Sequence, residues 1–322
     1  ILDFHRKVDA DVGLLLEEAG PDTLVIVMSD HGFGPVHSFF LTNNWLARSG
    51  LLKFRRGPWT TLKRSLFRLG YTPLTMFRIA KALGLAQLRK QMRFQQKSGL
   101  VNRLFLSFDD VDWSRTRAFS IGSFGQVYIN QVGVHPEGIV QPGAEYEELK
   151  ERIIREAMAL RDPESGKPLV ERVFRREQVY SGPYEERTPD LIVQPQGWEY
   201  MAFGHADFGS NRLVEPITGL SGHHRLDGLV ILAGAGVKPG TQLEGASILD
   251  LTPTILHTMG VEVPEDLDGR VLREAFDEGA PGARPVSYSQ SNIYKDRASD
   301  QDISDEEMQE VQEKLRGWGY AG

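Results

Sequence analysis

The sequence predicts an α/β fold with a largely parallel central sheet, and three observations carry that prediction. Unbroken apolar runs, mostly β-branched, at residues 23–28, 191–193 and 229–232 have the character of strands buried on both faces, as in a sheet covered by helices. Between them lie segments with apolar residues at helical spacing. The clearest is 145–160, with a stripe of Tyr146, Leu149, Ile153, Ala157 and Leu160. A chain of 322 residues is also long enough for one large domain, or one domain with a sizeable insertion, and too short for several.

Taken in order, Leu2, Val8, Val12, Leu15 and Leu16 predict an opening helix that closes near Glu18, where Gly20-Pro21 breaks it. The chain starts at Ile1 without an initiator Met, a basic segment or an apolar leader, so it reads as the C-terminal portion of something longer. Its compartment is left open, with the cytoplasm slightly favoured. The strand at 23–28 runs directly into Ser29-Asp30-His31-Gly32-Phe33-Gly34.

Composition then shifts. Residues 53–103 hold thirteen Lys or Arg and no Asp or Glu, with Leu74, Phe77, Ile79, Leu83, Leu85 and Leu88 interleaved at helical spacing. Residues 53–111 are therefore expected to be a basic helical insertion in a core made of 1–52 and 112–280. After Trp113 the β character returns at 118–121 and 126–130. Residues 250–259 read as a helix that tolerates Pro253 in its first turn, with Asp250 as N-cap. The polar tail, 281–322, carries the capping-box pattern Ser304-Asp305-Glu306-Glu307 and predicts one amphipathic helix with Met308, Val311 and Leu315 on its apolar side.

Composition also excludes. No cysteine means no disulfide framework, thiolate metal site or cysteine nucleophile. A net charge of −7 argues against a protein devoted wholly to nucleic acid. No apolar run approaches the ~18 residues of a membrane span.

Chemistry in open α/β sheets gathers at the carboxyl ends of strands, and Asp30-His31 occupies such a position. A carboxylate beside an imidazole suits zinc or another borderline divalent ion. The competing reading has Asp capping a turn and His bonding backbone. The second cluster, Ser221-Gly222-His223-His224-Arg225-Leu226-Asp227-Gly228, feeds the apolar run at 229–232. It offers one ligand and one phosphate-facing cation, or simply a polar loop. His205 and Asp207 read as a solvated loop, His37 is left unassigned, and His135 and His257 read as structural.

Residues 27–34 resemble the strand–SDHG element of the alkaline phosphatase superfamily, closest to its type I phosphodiesterase/nucleotide pyrophosphatase branch. Further stretches resemble that branch in the right order: Tyr128-Ile129-Asn130, Asp162-Pro163-Glu164-Ser165-Gly166, Pro189-Asp190-Leu191, 221–228, 250–256 and Asp268-Gly269-Arg270. The resemblance implies an alkaline-phosphatase-like three-layer α/β/α sandwich with a mostly parallel sheet. It implies two divalent ions in one crevice, zinc first, with Mn or Mg as alternatives. Asp30 and His31 match the pair that ligates the metal nearest the nucleophile. His224, in Gly222-His223-His224-Arg225, matches the ligand of the other metal, with His223 the register alternative. The nucleophilic Thr or Ser and the remaining ligands match nothing here and are expected upstream of residue 1. Asp3 and His5 have the wrong spacing for that role and read as helix-surface residues.

The implied activity is a metal-dependent phosphodiesterase or nucleotide pyrophosphatase acting on a small phosphate ester or nucleotide-like substrate by two-metal in-line displacement. Its rivals are another superfamily hydrolase (phosphomonoesterase, sulfatase, phosphonate hydrolase or phosphoglycerate mutase) and a non-catalytic module docking on a membrane or partner. The basic insertion is read first as a cap that draws in phosphate esters. Amphipathic helices on an anionic membrane surface come second. A merely solvated face remains open, and nucleic acid ranks behind the cap and the membrane.

Overall fold

A strand has to place its backbone hydrogen bonds on a neighbour, and in this chain the neighbours run mostly antiparallel. The computed structural model describes residues 2–84, 103–182, 184–204, 208–217 and 220–290. Two units are distinguished, Phe33–His223 and Ile1–Gly32 with His224–Gly322. The expected tail helix at 304–315, with Leu85 and Leu88 of the insertion, falls outside the described residues.

In Phe33–His223 an antiparallel sheet runs in the order Ala118–Ser120, Gln126–Ile129, Leu191–Pro195, Val170–Arg175. Burial alternates along its inner strands, so Val127, Ile129, Leu191 and Val193 enter the core while their neighbours are half-buried. This is the period-two signature of a sheet covered more on one face. Helix Ala144–Met158 packs on Val170–Arg175 and buries Leu149, Ile153 and Ala157, spaced four apart. Burying a Leu or Ile of this kind stabilises by about 1.5–3 kcal/mol.

A second sheet places Ser38–Leu41 between a parallel partner, Tyr200–Phe203, and an antiparallel one, Val214–Pro216. The short helix that follows, Thr42–Arg48, is buried at Thr42, Asn43, Asn44, Trp45 and Leu46. Burial of two amides is tolerated because both are satisfied. Asn43 Nδ2 donates to the carbonyls of Ser120 (2.8 Å) and Gly204 (3.0 Å), and Asn44 Nδ2 to those of Ser210 and Arg212.

Within the basic stretch, helices Pro58–Arg68 and Pro73–Ala82 each open on proline, whose missing N–H costs nothing there. The Thr75 amide donates to the Thr72 hydroxyl as a cap (3.2 Å). Lys63 points inward to Asp110 (2.9 Å), both buried.

In the other unit, helix Leu2–Ala19 has no buried residue. Strand Val25–Met28 pairs antiparallel with Val230–Ala233, from Val25↔Ala233 to Met28↔Val230. A small core of Leu272, Ala275 and Phe276 packs with Leu24 and Leu232. Helix Leu251–Thr258 and the parallel pair Val263–Pro264 and Tyr288–Ser289 complete it.

The α/β class holds, and the mostly parallel central sheet does not: parallel pairing is seen at Ser38–Leu41 with Tyr200–Phe203 and at Val263–Pro264 with Tyr288–Ser289. An unbroken apolar run reports that a strand expects cover, not which way its neighbour runs. Asp250 also differs from expectation. It leaves helix Leu251–Thr258 uncapped and accepts instead from the amides of Ser247 (2.8 Å) and Arg270 (2.8 Å). Among the described residues no helix is long and apolar enough to cross a membrane.

Candidate metal centre

The ladder between Val25–Met28 and Val230–Ala233 extends one residue further. The Ser29 amide donates to Leu229 O (3.0 Å), and the Leu229 amide donates to Ser29 Oγ (2.9 Å). Beyond that clamp the chain turns, and Asp30 and His31 leave the strand together. The turn needs glycine. A Cβ on Gly32 would stand 1.9 Å from the Asp227 carbonyl oxygen, and one on Gly228 would stand 2.7 Å from Ser29 Oγ.

His31 Nδ1 lies 2.8 Å from Gly32 O, and its Nε2 lies 3.5 Å from Asp30 Oδ1. The His31 ring stacks on that of His224, centroids 3.7 Å apart with 22° between planes. The Asp30 side chain is 73% exposed and that of His31 36%, so a plain ion pair between them would be screened and weak. His31 thus touches both Asp30 and His224. His223, its neighbour on strand Gly222–Arg225, packs on Phe124 instead (5.2 Å). Among the described residues no group of three or more His, Asp or Glu converges on one point that could hold a metal ion.

A cavity of about 310 Å³ adjoins the turn and is lined by Ser29, Asp30, Asp227 and Ser247 among others, but not by His31 or His224. Asp227 is the acidic residue that sequence reasoning passed over. The antiparallel register, which the sequence does not disclose, brings it there by setting the segment before Val230 opposite the segment after Met28.

Other motif residues are structural. Asn130 donates its amide to the carbonyls of Trp113, Thr116 and Glu137. Buried Asp190 accepts from the Ile129 amide (2.6 Å), the Tyr146 hydroxyl (2.7 Å) and Arg176 (2.6 Å). Burial, followed by the hydrogen bond to Asp190, pushes the Tyr146 hydroxyl well above its ordinary pKa. Asp162 accepts from the amides of Glu164 and Ser165 and from the Tyr200 hydroxyl. Burial opposes its charge, yet these donors together hold its pKa below the usual carboxylate value. His135 packs on Phe119 and Tyr128, and desolvation lowers its pKa.

His37 is exposed, His257 is buried in helix Leu251–Thr258, and Asp3 and His5 lie on the exposed helix Leu2–Ala19. His205 and Asp207 fall outside the described residues.

No curated protein and no solved structure matches the chain. Residues 1–209 match the family model for type I phosphodiesterase / nucleotide pyrophosphatase, a span that holds Asp30-His31 and stops short of His224. With well over half of its length matched, the chain belongs to the type I phosphodiesterase / nucleotide pyrophosphatase family.

Proposed function

We propose that Asp30 and His31 hold one divalent ion and His224 a second in a phosphodiesterase or nucleotide pyrophosphatase centre. The family is one of phosphoester hydrolases acting on small phosphate esters or nucleotides, which gives the coarse activity. The finer reading rests on one observation, the geometry of His31. With the Nδ1 proton donated to Gly32 O, the Nε2 lone pair is left facing a carboxylate oxygen at 3.5 Å. Those two groups repel unless a proton or a cation stands between them. Two donors each about 2.1 Å from a tetrahedral zinc ion stand about 3.4 Å apart, close to that separation. A backbone carbonyl on the far nitrogen is also the usual way a ligating imidazole is oriented.

Stacked imidazoles present their nitrogens in nearly parallel planes, so His31 and His224 suit side-by-side ions better than a shared one. The 3.7 Å is between ring centroids, and rings stacked that closely are compatible with ions about 3.5–4 Å apart, one in the plane of each ring. Carboxylate and imidazole donors favour zinc, with Mn or Mg as alternatives. Bound ions would supply Lewis acidity for in-line displacement at phosphorus. The protein's part is to fix the ligands: Gly32 and Gly228 permit the close turn, and Ser29 clamps it.

The same reading takes Val25–Met28 and Val230–Ala233 as part of a three-layer sandwich. Met28 and Ile231, apolar and exposed, are side chains that a covering layer would bury. The test is hydrolysis of bis(4-nitrophenyl) phosphate by the intact protein. Asp30→Ala and His224→Ala should each lower kcat/KM by about a hundredfold or more, whereas His223→Ala should change it only a few-fold. Equal activity in all three variants would remove the assignment.

A further inference from the structure

Unit Phe33–His223 holds a cavity of about 510 Å³ whose charged lining is entirely cationic: Arg48, Lys53, Arg56, Arg64, Arg68 and Arg115. Apolar side chains line it as well, Phe54, Phe67 and the buried Phe208 among them. Arg48 is engaged with the Asn211 carbonyl, and Arg115 with Asp112. Lys53, Arg56, Arg64 and Arg68 form no ion pair with a carboxylate among the described residues. Arg64 lies over the Phe54 ring at 5.4 Å. Burial, then the like charges of Arg68 and Arg115, lower its pKa.

Like charges gathered around one hollow repel, and folding alone gives no reason to assemble them. A bound anion removes that repulsion and draws on the guanidinium fork, which matches phosphate oxygens two at a time. The phenyl rings in the same lining add a surface for an apolar or aromatic portion, and the volume lies within the ordinary range for small-molecule sites, about 300–1,000 Å³.

We infer that this cavity binds an organic phosphate, its phosphate group on Arg64, Arg68 and Lys53 and its apolar portion on the phenylalanines. The site is independent of the Asp30–His31 pair and needs no metal. Such a phosphate could reach the cavity as a soluble ester or as the headgroup of an anionic lipid, and both present the same chemistry.

The test is calorimetric titration of the intact protein, in EDTA, with 1-naphthylmethylphosphonate, which cannot be hydrolysed. Saturable binding is expected, weakened at least tenfold by the Arg64→Gln/Arg68→Gln double variant and by raising the salt, and left unchanged by Asp30→Ala. The uncharged 1-naphthalenemethanol should bind at least tenfold more weakly. Arg56→Gln/Lys53→Gln, on a different stretch of the lining, serves as a second variant should the first fail to fold, with the same weakening expected. Competition by vesicles of phosphatidylglycerol in phosphatidylcholine, absent with phosphatidylcholine alone, would identify a lipid as the source. Absence of competition would identify a soluble ester. No saturable binding, or binding equal in the wild type and both cation variants, would overturn the proposal. Neither result bears on Asp30, His31 or His224, since the metal reading is judged by hydrolysis and metal content.

Discussion

Asp190 shows how much a single side chain can organise without touching a substrate. Its carboxylate takes an amide from one strand, a hydroxyl from helix Ala144–Met158 and the guanidinium of Arg176, all in a buried setting. Asp190→Ala would leave Arg176 partly buried without its partner and should cost about 3–5 kcal/mol, read as a lower urea midpoint. Asp190→Asn keeps the shape and one acceptor, and should cost less. A midpoint for Asp190→Ala within error of wild type would contradict this role. Asp30 and His31 stand out in the sequence as an Asp-His pair between an apolar strand and a glycine, and the family resemblance is what gives them a reading as ligands. It did not disclose that Asp190 and Asn130 are hydrogen-bonding hubs, because most of their partners lie well away along the chain and only folding brings them together; Asp162 takes two donors from its own turn, and its remote partner is Tyr200.

Local signals served elements well where the physics is local. The stripe read at 145–160 becomes helix Ala144–Met158, and Gly20-Pro21 does end the first helix, at Ala19. Caps act at the same scale. Thr72→Ala should destabilise by about 1 kcal/mol through loss of the hydroxyl that accepts the Thr75 amide, measured by thermal or urea unfolding.

The turn after Arg161 gives a pH dependence with a definite sign. Asp162 has a folded pKa held below its unfolded value of about 3.9. Its stabilisation is therefore present above that value and is lost as pH falls through the lower folded one. Asp162→Asn should lower stability at pH 7 and flatten the decline below about pH 4, as followed by urea midpoints across pH. An unchanged acid limb would contradict that assignment. Strand direction was not legible. Pairing is decided by which segments meet, and apolar runs such as 23–28 fit a parallel or an antiparallel neighbour equally well.

At the scale of the whole molecule, the order of the motifs identifies the family before any contact is seen, because each short piece is common and the series is not. What the series leaves open is the meeting of His31 and His224, which the antiparallel register of Val25–Met28 with Val230–Ala233 prepares. Charge is likewise uneven: the chain is acidic overall, while residues 53–103 carry thirteen cations and no carboxylate and supply four of the six cations that line the cavity in Phe33–His223.

Ligation by Asp30, His31 and His224 is tested most directly by metal content. The intact protein, loaded with zinc and freed of excess, should lose about one equivalent in Asp30→Ala or His31→Ala and again in His224→Ala, while His223→Ala retains the wild-type content. Zinc content unchanged across the three ligand variants would contradict it.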